Sequence, residues 1–241
     1  ATPAFSALGV YWAARDYSRR QGRPIRGEGA IVTDALTALC ESGVALYQAW
    51  PSTDSNYRNY SDNKPPASFR TAPRLRPAGE CRRITTEQQV LQYLGAGFSL
   101  WFGGPWRGGS RTTKDGAFSW NNPPQGGHAV ELLGYDLDAD RIVIGNSWDN
   151  AGWGVQPSVE SGLPRGWGYC PWSQFRLDLM AEDFASGAVE VCVICEVSWT
   201  PPAPVPVPTP PPDPTPSPGQ SIKVSVLVNT TTFEGLLFPK V

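Results

Sequence analysis

His128 is the only histidine in this 241-residue chain, and it heads the run HAVELLGYD; Asn146 and Trp148 close the run RIVIGNSW that follows. Imidazole titrates nearest neutrality of all side chains, so a lone histidine is a candidate acid–base group. A neighbouring carboxamide can orient it through one ring nitrogen, and an indole can keep water away. The spacing permits that grouping. His128, Val130 and Leu132, then Ile142 and Ile144, form two apolar-rich runs of strand character, separated by turn formers from Asp136 to Asp140. A hairpin closing near Leu137 or Asp138 pairs residues whose numbers sum to about 274 or 276, which places His128 opposite Asn146 or one pair away. Side chains alternate with period two along a strand, so both residues point to the same face. The plainer reading is a structural histidine within a hairpin, and the pairing with Asn146 favours an oriented general base.

The elements around the hairpin have their own signals. ATPAFSALGVYWAARDYSRRQG predicts a helix with Thr2 as N-cap, Pro3 at the first helical position, and Phe5, Leu8 and Trp12 at helical spacing. TDALTALCESG predicts a second helix, capped by Thr33 and ended by Gly43. The polar stretch from Pro51 to Arg83 reads as an extended surface loop. TTEQQVLQYLGAG predicts a third helix with a capping box from Thr86 to Gln89, and FSLWFGG after it a strand. A second loop, 104–127, carries Gly, Trp and Asn-Pro-Pro, and GAVEVCVICEVSW predicts a closing strand. Helices lead and strands follow, which is the pattern of an α+β fold.

Composition narrows the functional classes. With 40% hydrophobic residues and 10 Trp the chain can bury a substantial core. A formal net charge of -2 gives no general attraction to nucleic acid or anionic lipid, so no nucleic-acid partner is expected. The arginine clusters around Arg19–Arg26 and Arg70–Arg83 read as solvated faces and loops. No stretch is long enough for a membrane span, and nothing at the start resembles a signal peptide. The chain begins with Ala rather than Met, which fits a processed or incomplete chain. One histidine rules out a zinc site built on paired imidazoles. Cys192 and Cys195 form a C-x-x-C, yet within a strand that spacing puts them on opposite faces; neither a metal nor a cofactor is expected. The five cysteines fit reduced thiols or one or two disulfides.

A different regime begins at residue 200. TPPAPVPVPTPPPDPTPSPG holds eleven prolines. It reads as a polyproline II spacer over 200–219, roughly 50–60 Å long at about 3.1 Å per residue. The segment 220–241 alternates at Ile222, Val224, Val226 and Val228 and is too short for a core of its own. A strand with one apolar face needs a sheet to join. Because an intramolecular clasp would not need so stiff a spacer, the expected partner is another protein or a second copy of the chain.

GHAVELLGYD, RIVIGNSWDNAGWG and GYCPWSQF, taken with AFSALG near the start, resemble the papain-like cysteine peptidases. The segments ALCESGVALYQAWP and TTEQQVLQYLGAGFSLWF fall in the same order as that family's intervening elements. The likeness covers 1–199, and the spacer and tail lie outside it. It implies a papain-like fold, with His128 as base, Asn146 as its orienting amide and Trp148 as a shield. It also implies a thiolate at the head of the first helix, where the helix dipole and an imidazolium lower a thiol's pKa. Here the family's Cys-x-Ala-Phe-Ser-Ala reads Thr2-Pro3-Ala4-Phe5-Ser6-Ala7, so the nucleophile position holds Thr2. An alcohol is too weak an acid to rest as an anion beside an imidazole. The family's oxyanion-hole Gln lies upstream of that position, before the first residue of this chain, and no Cys-x-Gly-Gly run occurs between residues 45 and 80.

Two functional expectations follow. The first is a papain-like module without its nucleophile, serving as a binding or structural component and anchored through 220–241 in a larger assembly such as a virion or cell-surface complex. Peptide or glycan could still lodge beside the imidazole. The second is an active cysteine peptidase whose nucleophile-bearing start is truncated or altered. Hydrolysis by Thr2 as an N-terminal nucleophile would need loss of Ala1, and Pro3 disfavours it.

Overall fold

Ser6, rather than Thr2, starts the first helix. Its hydroxyl accepts from the Gly9 amide at 3.0 Å and donates to the Trp50 carbonyl at 2.7 Å, so one side chain both caps the helix and ties it to the next segment. Phe5, just before it, makes an antiparallel bridge to Leu46, so the chain is still extended where the sequence pattern had already placed helix. The computed structural model describes residues 5–23, 29–51, 64–77, 79–148, 153–155, 163–164, 166–180 and 189–195; Thr2, the proline-rich spacer and the tail lie outside them. The described residues divide into two compact units, one holding those up to Arg83 together with 192–195, the other those from Ile84 to Val191.

In the first unit, α1 (Ala7–Arg20) buries Leu8, Gly9, Val10, Ala13 and Ala14, and α2 (Val32–Ser42) packs along it. Small residues on this face let the helices approach closely. Asp34 of α2 is fully buried, and its carboxylate is satisfied by the Ser18 hydroxyl and the Arg23 guanidinium. Without those partners a buried charge would be costly. Thr33 does not cap α2. Ile31 is the N-cap and Thr33 lies inside the helix, its hydroxyl 3.2 Å from Cys192 Sγ. Gly43 ends α2 as expected, with φ +71°, and a Cβ there would sit 2.7 Å from the Leu75 carbonyl oxygen.

The stretch 51–83 is not one extended loop. Its described part forms α3 (Ala67–Thr71), β2 (Arg74–Leu75) and β3 (Glu80–Ile84), with β2 antiparallel to β1 (Val44–Ala45). The reason is Phe69, a single apolar anchor among prolines and arginines. It is 1% exposed in a cluster with Leu8, Ala45 and Trp50, and the Arg74 guanidinium lies 4.3 Å from its ring centre.

In the second unit, α4 (Glu87–Gly95) starts at the foreseen Thr86, whose hydroxyl accepts from the Gln89 amide at 3.2 Å. The Gln89 side chain reaches back to the Thr85 amide at 2.9 Å. Strands β4 (Leu100–Pro105), β5 (Gly127–Asp136), β6 (Arg141–Gly145) and β7 (Trp167–Pro171) are consecutive antiparallel neighbours. Strand β8 (Glu190–Cys195) carries the chain from the second unit back into the first, and β3 is its neighbour there. A further helix, α5 (Trp172–Met180), follows β7. Its start is fixed from the hairpin turn, because Asp140 accepts from the Ser173 amide at 2.7 Å. Leu100, Phe102, Leu132, Ile142, Ile144 and Phe175 are fully buried, and they anchor the strands that carry the site.

Candidate active site

The register of β5 decides where the imidazole sits. His128 pairs with Gly104, Val130 with Phe102 and Leu132 with Leu100, so His128 shares its face of the strand with two buried core residues, Val130 and Leu132. Toward β6, Glu131 pairs with Gly145 and Leu132 with Ile144. The register then shifts between Leu132 and Gly134, so that Gly134 faces Val143. This irregularity holds one extra residue on β5. Asn146 comes just after β6, and its amide donates to the Gly166 carbonyl at 3.2 Å, which fixes the chain beyond the strand end.

His128 Nε2 then lies 3.0 Å from Asn146 Oδ1. The same oxygen accepts from the Ser147 amide at 2.8 Å. Only an oxygen can accept from that amide, so the carboxamide is oriented with Oδ1 toward the ring, and Nε2 must carry the hydrogen. His128 Nδ1 is then the nitrogen with the lone pair. The arrangement presents one defined basic atom, with the opposite side of the ring held by the amide.

Aromatic rings surround the imidazole. Trp148 stacks on it with centroids 4.4 Å apart and planes at 29°, and Trp106 meets it edge-on at 5.1 Å and 80°. Burial therefore lowers the His128 pKa from its ordinary value, and the Asn146 hydrogen bond opposes that shift. The ring is an oriented, neutral base at neutral pH.

Trp106 was not singled out by sequence reasoning, although it is 2% exposed and packs against Trp120, Trp148, Trp153 and Phe118 as well as His128. The signal available was its position directly after β4. The Trp106 amide donates to the Gly126 carbonyl at 2.8 Å, continuing the strand pairing, and its indole N–H donates to the Gly109 carbonyl at 2.8 Å. Trp120 is locked in turn by Asp178, which accepts from the indole N–H at 2.8 Å and from Arg107 Nε at 3.1 Å. Next to Trp153, Gly154 (φ +75°) runs so close to Gly166 that a Cβ would lie 2.8 Å from its carbonyl carbon.

Of the expected site residues, His128, Asn146 and Trp148 thus come together, and Thr2 lies outside the described residues. No group of three or more His, Cys, Asp or Glu among the described residues could hold a metal ion. No helix among them is long and apolar enough to cross a membrane.

No protein-family model and no curated protein matches the chain. Solved structures do. The chain is similar to xylellain, a cysteine protease from Xylella fastidiosa, with TM-score 0.50 and 21% identity over 80% of this chain and 70% of that one. It is also similar to the Carica candamarcensis cysteine protease CMS1MS2, solved in complex with E-64, with TM-score 0.50 and 19% identity over 80% and 78%. A third neighbour is the clostridial cysteine protease Cwp84, with TM-score 0.51 and 13% identity over 84% of this chain and 48% of that one. With helices leading an antiparallel sheet, the chain has the papain-like cysteine-protease fold.

Proposed function

We propose that this protein is a papain-like-fold module without a thiol nucleophile, acting as a binding or structural component. In this reading its proline-rich spacer and tail, 220–241, anchor it to a protein partner or a second copy within a larger assembly, such as a virion or a cell surface. The observation that carries the proposal is Thr2 at the position where the resembling sequences hold Cys. An alcohol beside a neutral imidazole forms no resting ion pair, whereas a thiol beside an imidazole does. The half-buried indole of Trp148, stacked on His128, offers a surface against which peptide or glycan can lie without being cleaved.

A second reading, an active cysteine peptidase with an altered nucleophile, is favoured by the 3.0 Å contact between His128 and Asn146, which binding alone does not require. One experiment separates the two. The full chain is incubated with fluorogenic peptides and with a thiol-directed covalent peptidase inhibitor, then weighed intact and mapped. The module reading expects neither turnover nor any label beside His128. Hydrolysis that disappears in His128→Ala would overturn it. For the anchor, deletion of 220–241 is expected to release a folded domain from its native assembly, and a truncated protein that stays bound rules the anchor out.

A further inference from the structure

Four of the five cysteines belong to the first unit: Cys40 on α2, Cys81 on β3, and Cys192 and Cys195 on β8. β3 and β8 are neighbouring strands. Cys81 and Cys192 converge on one residue, since the Thr33 hydroxyl lies 3.2 Å from Cys192 Sγ and the Cys81 thiol 4.0 Å from the Thr33 carbonyl oxygen. The Cys192 thiol is also the leading influence that raises the pKa of Cys81. Cys40 approaches the backbone of Cys81, and Cys195 faces away from Cys192 by the alternation of the strand.

We propose that Cys81 and Cys192 form a disulfide, a covalent modification site that staples β3 to β8. The chain enters the second unit at Ile84 and leaves it at Val191, so this bond would close the chain at the two points that bracket that unit. Both are thiols in this structure. The oxidant is a small-molecule or protein disulfide. Cys81, the partly exposed thiol of the pair, attacks one donor sulfur as thiolate and releases one donor thiol. Cys192 thiolate then attacks the Cys81 sulfur of this mixed disulfide and releases the second. The pair loses two electrons and two protons, and the donor disulfide gains them as two thiols.

The interaction with Cys192, and burial after it, push the Cys81 thiol well above its ordinary range. Thiolate is therefore scarce at neutral pH, and the exchange in the folded protein is slow. That fits a bond made once, during folding in an oxidising compartment, rather than a fast sensor.

The test uses the full chain, refolded in a buffer of reduced and oxidised glutathione and, separately, oxidised in the folded state. Free thiols are blocked, the protein is digested without reductant, and linked peptides are fragmented to locate the bond. The expected product joins Cys81 to Cys192, persists in Cys40→Ser and in Cys195→Ser, and raises Tm by about 10 °C in a manner reversed by reductant, given a closed loop of roughly 110 residues. Should Cys192→Ser fail to fold, the wild-type map still decides the matter. Bonds joining Cys40 to Cys81 or to Cys195 would overturn the proposal, as would both thiols remaining fully alkylatable after refolding.

Discussion

Asn146→Ala tests the site at its hinge. Asn146 Oδ1 accepts two hydrogen bonds, from His128 Nε2 and from the Ser147 amide. Each is worth about 0.5–1.5 kcal/mol net, and truncation leaves both donors without this acceptor. Part of that loss is returned, because Asn146 Nδ2 is itself buried with no partner and the truncation removes it. The balance is a loss of about 1–2 kcal/mol, or roughly 3–6 °C in Tm for a domain of this size. The more specific readout is the imidazole. Because the chain has a single histidine, its Cε1 proton gives one assignable NMR signal whose titration belongs to His128 alone. Burial already holds the wild-type midpoint below 6.5, and the amide is what pulls it upward. Asn146→Ala is therefore expected to lower the midpoint further, and Asn146→Asp, which supplies a negative charge, to raise it. A midpoint that stays put or rises in Asn146→Ala would refute the claim that this carboxamide holds the ring.

Other predictions follow from the same geometry. Because the folded pKa of His128 lies below the unfolded one, its contribution to stability is complete above about pH 6.5 and declines as pH falls toward the folded value. Urea midpoints at pH 7 and pH 5 should therefore show wild type losing stability relative to His128→Phe on acidification; a relative gain would reverse the sign and sink the argument. Asp178→Ala strips the acceptor from the Trp120 indole and the Arg107 guanidinium together, and should cost about 2–4 kcal/mol in chemical denaturation. A change below half that size would mean that water replaces the carboxylate. Gly154→Ala meets both a left-handed φ and the Gly166 backbone, and should cost about 2–4 kcal/mol, with Trp153 fluorescence altered in the folded state. A neutral substitution there would show that the two segments part easily.

What the sequence made legible was whatever local physics controls. The capping box at Thr86, the stop at Gly43 and the hairpin around Asp136–Asp140 each depend on residues within a few positions of one another, and each is present in the structure. The grouping of His128 with Asn146 was legible for the same reason, since a hairpin converts sequence spacing into distance. The register shift at Leu132–Gly134 was not, because a bulge is set by what both faces of β5 must bury rather than by its own residues. Ser6 displaced Thr2 as the helix cap through a bond to Trp50, a residue 44 positions away. Phe69 turned an apparent loop into folded structure only because Leu8, Ala45 and Trp50 were there to cover it. Trp106 belongs to this second group. Nothing around it in the sequence says that its ring will lie against the only imidazole; the pairing of Gly104 with His128 brings the residue just beyond β4 close to it. The wall of the site is thus set by the sheet. That wall keeps the base neutral against the opposing pull of the Asn146 bond, and the Asn146 amide fixes its tautomer.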